Sequence, residues 1–380
     1  MSMVVCGMSG GVDSSVAAHL LKQQGHEVVG LFMKNWEEKD ENGVCSSEKD
    51  WQDVERVSQK LNLSYHSMEF VEEYRDQVFA HFVKEYKEGH TPNPDILCNR
   101  EIKFKVFLDK AMELGADYLA TGHYCRKKMI GGEWRLVKGA DPNKDQTYFL
   151  YTITKDILDK VLFPVGELLK PEVRKVATEL DLATKDKKDS TGICFIGERN
   201  FREFLSQYIK TQKGSFKTLK GEVVGVHQGA CFFTQGQRKG LGLGGQGAPW
   251  FVVGKDMATN TVFVERGEEH PALYADELWA NELSFVSGSL PLESPYRCRA
   301  KIRYRQPDQD CTVYSDGPDR IKVVFDVPQR AIAQRQSIVF YTTMEGEEVC
   351  LGGAMIEKSG ATYYERGLIP DLSKTSTSDH

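Results

Sequence analysis

The sequence predicts an α/β domain built on a parallel sheet, followed by small β-rich domains, one of them barrel-like. Three observations predict it. Up to about residue 210, short apolar runs alternate with amphipathic segments, the pattern of a parallel sheet covered by helices on both faces. Beyond Lys213 the texture changes to short β-rich runs separated by Gly, Pro and Asp turns, which suits small sandwiches or barrels. The chain has 380 residues, 40% hydrophobic and 27% charged, enough for two or three cores.

Residues 3–7 read as a buried strand. Residues 13–24 carry Val16, Ala17, Leu20 and Leu21 at helical spacing, with Gly25 as the stop. A second strand is expected at 27–33, a helix at 50–61 and a third strand at 64–70. A helix over 72–87 places Tyr74, Val78, Phe82 and Tyr86 on one face. Another runs from Ile102 to Leu114, ended by Gly115, and a strand follows at 116–124. Further helices are expected at 153–160, 171–180 and 200–210. The runs "GEVVGV", "PWFVV", "TVFVE", "YRCRAKIRYR", "CTVYS", "IKVVFDV" and "SIVFYTT" then read as strands. The closing "SKTSTSDH" is polar and expected to be disordered.

No run of eighteen apolar residues occurs, so no membrane span or membrane partner is expected. No basic region precedes the first apolar run, which is too short for a signal peptide, so a cytoplasmic protein is expected. Nine cysteines are scattered without a CxxC pair or zinc spacing, which predicts neither a metal site nor a structural disulfide framework. The net charge of −6 excludes a wholly basic nucleic-acid binder but not local basic patches.

The most informative stretch is Ser9-Gly10-Gly11-Val12-Asp13-Ser14-Ser15, at the join of the first strand and first helix. Glycines permit a tight turn and close backbone approach. A helix start offers spare N–H groups and a partial positive charge, so the join suits a phosphate. Ser9, Ser14 and Ser15 add hydroxyl donors. Asp13 would repel a phosphate unless it holds a metal ion or caps the helix. The loop is neither GxxxxGK[ST] nor GxGxxG.

Two cysteines have unusual surroundings. Cys98 lies in "GHTPNPDILCNREIKF" (89–104), near an expected helix start, with Asp95 before it and Arg100 and Lys103 after it. Cations and a helix start depress a thiol pKa. Cys194 lies in "DSTGICFIGERNF" (189–201), between Gly192 and Gly197, with Lys187, Lys188 and Arg199 nearby. The stretch "KIRYRQ" (301–306) interleaves cations with Ile302 and Tyr304, and on a strand its cations would share one face and suit RNA phosphates. "GQRKGLG" (236–242) is a second basic stretch.

The glycine loop resembles the pyrophosphate-binding PP-loop of the N-type ATP pyrophosphatases. Together with "FMKNW", "TPNPDILCNREIKF", "ATGHY", "KDQTYFL", "TGICFIGERNF" and "TQGQRKGLGLGG", in that order, the chain resembles the bacterial tRNA-specific 2-thiouridylases over nearly its whole length. That resemblance implies a Rossmann-like PP-loop domain (1–210), a small central β-rich domain (211–274), a C-terminal β-barrel that binds tRNA (275–367) and a tail (368–380). It implies ATP and Mg2+ as cofactors, tRNA as substrate, and a persulfide donor protein, a cysteine desulfurase or relay protein, as partner. Gly7, Met8, Ser9, Gly10, Gly11, Val12, Asp13 and Ser14 would hold ATP, with Met33 and Gly122 lining the nucleotide pocket. Asn93, Pro94 and Asp95 would meet the target uridine, and Asp95 would act as general acid or base. Cys194 would carry sulfur as a persulfide and Cys98 would release it, leaving a Cys98–Cys194 disulfide. His123, Lys144, Asp145, Gln146, Tyr304, Arg305 and Gln336 would touch tRNA. Cys125 departs from the family pattern, where alanine is expected. A PP-loop ligase that adenylates a small carboxylic acid, a lysidine-synthetase-like enzyme and a non-catalytic RNA-binding protein each fit part of the pattern, but none of them needs the cysteine pair.

Overall fold

The computed structural model describes residues 1–37, 46–189, 201–288 and 294–373. Cys45 and Cys194 lie outside these residues. The first domain is built on a parallel sheet of β1 (Met3–Met8), β2 (Glu27–Lys34), β3 (Ser64–Glu69), β4 (Tyr118–Ala120) and β7 (Val161–Leu162), in the order β3-β2-β1-β4-β7. Val4, Val5 and Cys6 on β1 are fully buried, because helices cover both faces. Helix α1 (Val12–Gln23) follows β1, and α2 (Ser46–Leu61) lies between β2 and β3. Connections from β1 leave toward β2 on one side and reach β4 on the other. The strand order therefore reverses between β1 and β4, the position where open α/β sheets bind ligands.

Two helices differ from expectation. The helix predicted over 72–87 forms as Val71–Tyr74 and Ala80–Lys87 joined by a π-helical turn, Arg75–Phe79. The helix predicted from Ile102 begins at Pro94 and runs to Glu113, with a π-helical middle from Cys98 to Val106. Asn93 caps its start by accepting from the Asp95 N–H at 3.1 Å, and Pro94 occupies the first helical position. Cys98 is thus inside a helix, one turn from its start, rather than ahead of one. The predicted strand over 116–124 shortens to Tyr118–Ala120. A hairpin follows, β5 (Cys125–Ile130) and β6 (Glu133–Lys138), turning at Gly131 and Gly132, both with positive φ.

The central domain is a four-stranded sheet of β8 (Gly214–Lys217), β9 (Val223–His227), β10 (Trp250–Asp256) and β11 (Thr261–Arg266), ordered β10-β11-β8-β9. The last domain closes six strands into a barrel: β12 (Tyr274–Phe285), β13 (Tyr296–Lys301), β14 (Gln309–Ser315), β15 (Arg320–Arg330), β16 (Ser337–Met344) and β17 (Glu347–Ser359). Closure comes from β12, which pairs with both β15 and β17. The β5–β6 hairpin adds to this barrel, with Val349 opposite Val137 and Cys350 opposite Leu136. The first domain thereby lends two strands to the third. "KIRYRQ" is not the strand expected: β13 ends at Lys301, and Arg303 and Tyr304 lie in the turn toward β14. Among the described residues, no helix is long and apolar enough to cross a membrane.

Candidate active site at the end of the parallel sheet

The glycine loop sits at the strand-order reversal. Gly10 has φ +73°, and a Cβ there would lie 2.6 Å from the Asp50 carbonyl oxygen. A Cβ on Gly122, just past β4, would lie 2.8 Å from Ser14 N and 2.9 Å from Asp13 C. The β4 end and the α1 start therefore approach so closely that only glycine fits. Gly11 caps α1 without any side-chain bond to the first turn. The serine hydroxyls close the loop on itself. Ser14 Oγ and Ser15 Oγ both donate to Gly11 O, at 3.2 and 2.8 Å, and Ser14 Oγ accepts from Ser9 N at 3.2 Å. Met33 is half-buried at the end of β2, one strand over.

Asp13 does not cap α1 through its side chain. Lys170 Nζ donates to both its oxygens, at 2.7 and 2.9 Å, and Tyr124 donates its phenol proton at 2.7 Å. Lys170 is 8% exposed and begins the helix Lys170–Glu179. The same ammonium lies 2.8 Å from Asp189, which also takes Lys144 at 2.6 Å and Arg174 at 2.7 Å. Burial pushes the Asp189 carboxyl up, but hydrogen bonds and charge from Lys144 and Lys170 outweigh it and hold it at about 2. Three cations thus surround two carboxylates beside the glycine loop. Lys170 and Tyr124 were not singled out from the sequence, and no local pattern marks a contact that spans 157 residues.

The helical segment Pro94–Glu113 carries a second set of groups. Asp95 lies in its first turn, and burial raises its carboxyl pKa, opposed by Lys103. Cys98 is 3% exposed and packs in the main core. Further along, the Phe104 ring is 5.8 Å from the His123 ring, and Phe107 lies 3.2 Å from where a Gly7 Cβ would sit. The segment kinks at Phe104 (φ −101°, ψ 17°), so Asp95 and Cys98 lie on the turns before the kink and Phe107, which touches the glycine loop's strand, lies on the helix after it. His123 hydrogen-bonds Thr121 Oγ1 at 2.8 Å, and burial, aided by Lys103, pushes its pKa well down, so it is neutral.

The remaining sequence-nominated residues fall into two groups. Asp145 is 5% exposed and accepts from Gly139 N, Thr147 N and Thr147 Oγ1, so its carboxylate organises the backbone. Gln146 clamps Tyr124 through Tyr124 N and O, both at 2.9 Å. Tyr304 is half-buried with its ring 4.4 Å from Phe149, and burial raises its pKa to about 12. Arg303 faces inward and donates to Gln235 O and Ala331 O, while Arg305 is exposed. The cations of "KIRYRQ" therefore do not share one face. Gln336 donates to Thr91 O, and the neighbouring Arg335 lies 3.1 Å from Glu85, which is 2% exposed and also holds His90 at 2.7 Å. Thr91 meets Thr234 of the central domain at 3.0 Å. The segment entering Asn93–Asp95 is thus held by all three domains.

The chain is similar to known proteins over nearly its whole length. Family models match in register with the three domains: a tRNA methyl transferase HUP domain over residues 2–198, a tRNA methyl transferase PRC-barrel domain over 202–266 and an aminomethyltransferase beta-barrel domain over 275–356. The tRNA-specific 2-thiouridylase MnmA of Protochlamydia amoebophila is 59% identical over 364 residues, covering 96% of this chain and 95% of that protein. The chain belongs to the tRNA-specific 2-thiouridylase family. Another member of that family, MnmA 2 of Geobacillus kaustophilus, is 55% identical over 93% of this chain and 94% of its own length. Among solved structures, the U34-tRNA thiolase NcsA of Methanococcus maripaludis covers 55% of this chain and 65% of its own at 18% identity, with a TM-score of only 0.34.

Proposed function

We propose that this protein replaces the 2-oxygen of the wobble uridine in tRNA by sulfur, using ATP and releasing AMP and pyrophosphate. The observation that carries the reading is the glycine loop at the sheet's reversal point, with Phe107 of the segment that follows Asp95 and Cys98 packed against Gly7 on its strand, in a chain of this family. The substrates by family expectation are the tRNAs for lysine, glutamate and glutamine.

The glycine loop suits ATP phosphates: Gly10 and Gly122 let the loop, β4 and the α1 start close on one another, and the start of α1, with no side-chain cap, supplies N–H groups and dipole. Lys170, Lys144 and Arg174 outnumber Asp13 and Asp189 there, which favours a departing pyrophosphate. Those two carboxylates are already engaged by cations, so they offer no magnesium site of their own, and the steps that follow use no metal. The uridine O2 bonds to the α-phosphorus as pyrophosphate leaves, and Asp95 takes the N3 proton, its raised pKa making it a stronger base than an ordinary carboxylate. The terminal sulfur of a Cys194 persulfide adds to C2, and AMP departs with the former O2. Cys98 thiolate then attacks the Cys194 sulfur, its S–S bond breaks, the released sulfur stays on C2, and Asp95 returns the proton to N3. A Cys98–Cys194 disulfide remains, and a dithiol reductant restores both thiols. The persulfide comes from a separate donor protein. The target base leaves the anticodon stack to reach these buried groups.

The test follows the oxygen. With tRNA labelled with 18O at uridine O2, the AMP formed should carry one heavy oxygen. Unlabelled AMP would refute adenylation of the base.

A further inference from the structure

The loop Arg238–Ala248, with Trp250 and Arg266, encloses a cavity of about 280 Å³ in the central domain. Four of its carbonyls, those of Lys239, Gly240, Gly244 and Ala248, accept from side-chain donors. Arg266 lies 4.2 Å over the Trp250 ring and donates to Ala248 O at 2.8 Å, while Trp250 Nε1 donates to Gly244 O at 3.3 Å. Arg202 donates to Gly240 O at 2.7 Å and Gln237 to Lys239 O at 3.0 Å. The amides show the opposite. Among the described residues, no backbone N–H from Arg238 to Ala248 donates to an acceptor in the chain. Gly240, Gly242, Gly245 and Gly247 have positive φ, the backbone that lets successive N–H groups converge on an anion. Charge agrees: among the described residues, no carboxylate forms an ion pair with Arg238, Lys239 or Arg266, and the first two are exposed. A metal ion would meet the wrong charge, and an apolar ligand would strand the amides. Spare amides and the Arg238 guanidinium, which pairs with no carboxylate among the described residues, fit a phosphate.

The cavity's loop is also joined to the segment that enters Asn93–Asp95. It continues from Thr234, which touches Thr91 at 3.0 Å, two residues before Asn93. We propose that this cavity binds a backbone phosphate of the RNA whose uridine enters the active site. The proposal rests on the tRNA substrate argued above, and it adds a contact outside the PP-loop domain and the barrel. Arg266 holds the loop's shape, and Arg238 faces the phosphate.

The experiment uses the full chain, an unmodified tRNA transcript and fluorescence anisotropy across potassium chloride concentrations, for the unaltered protein, Arg238→Gln and Arg238→Lys. Arg238→Gln should weaken RNA binding roughly three- to tenfold and lower the slope of log affinity against log salt by about 0.7–0.9, the value of one phosphate contact. Arg238→Lys should restore the slope. ATP binding, measured separately, should be the same in all three. Unchanged RNA affinity and slope would overturn the proposal, as would weaker ATP binding in Arg238→Gln, which would make the phosphate a nucleotide's. No RNA binding by the unaltered protein would overturn the substrate reading itself, and the pocket with it.

Discussion

Replacing Lys170 by methionine removes the one cation that bonds both Asp13 and Asp189 and keeps the side chain's length. Breaking a buried pair by deleting one partner costs about 3–5 kcal/mol, because the other charge is stranded. Here the two carboxylates are 32% and 30% exposed, so solvent screens part of that, and Asp189 retains Lys144 and Arg174. The expected cost is about 2–3 kcal/mol. At ~2–4 °C per kcal/mol for a domain of this size, the melting temperature should fall by roughly 5–10 °C. The pH dependence has a definite sign. Asp189 is held down at about 2, below the ordinary carboxylate value. Its stabilisation is therefore full above about pH 4 and lost as pH falls toward 2. The gap between wild type and Lys170→Met should be widest near neutrality and should narrow in acid. Adding Asp13→Asn should recover part of the loss, because without Lys170 the Asp13 carboxylate keeps only the Tyr124 hydroxyl among the described residues. Circular dichroism melts at several pH values measure all of this. A melting temperature within 1 °C of wild type at pH 7 would refute the reasoning.

Asp95 works in the other direction. Burial raises its pKa, so its ionised form costs stability that grows as pH rises through the folded value. Asp95→Asn should therefore melt higher than wild type at pH 7, with the gain vanishing in acid, while thiolation falls by about 10²–10⁴; a lower melting temperature at pH 7 would contradict the burial argument. The wild-type rate should fall on its acid side above the ordinary carboxylate range, and the fall should be absent in the residual activity of Asp95→Asn. Gly122→Ala places a methyl 2.8 Å from Ser14 N, which displaces the α1 start. It should cost about 1–3 kcal/mol and abolish AMP formation, read by chromatography of the nucleotides.

The fold was legible where neighbours in sequence are neighbours in space. Strand–helix alternation, Gly25 and Gly115 as stops, and the run of β segments all reflect local patterning. The glycine loop was legible for the same reason: strand end, turn and helix start are contiguous. Other features depend on distant partners. "KIRYRQ" has strand periodicity, but Arg303 is drawn inward to Gln235 O and Ala331 O, and the strand ends at Lys301. The β5–β6 hairpin had a local signal in Gly131-Gly132, yet nothing local indicates that it joins the barrel through Val137 and Leu136. The early helix start at Pro94 was signalled by Asn93-Pro94, a cap followed by a first-turn proline. Asp13 looked anomalous within a phosphate loop because its partner, Lys170, is 157 residues away. Asp145 and Gln146 are in place by sequence, but their backbone bonds emerge only from the folded loop.

The most direct measurement is mass spectrometry of nucleosides from unmodified tRNA incubated with the protein, ATP, magnesium and a persulfide source. Wild type, wild type without ATP, and Cys194→Ser would be run together. The account predicts 2-thiouridine only in the complete wild-type reaction. Its appearance without ATP, or at the wild-type level with Cys194→Ser, would contradict the proposed chemistry.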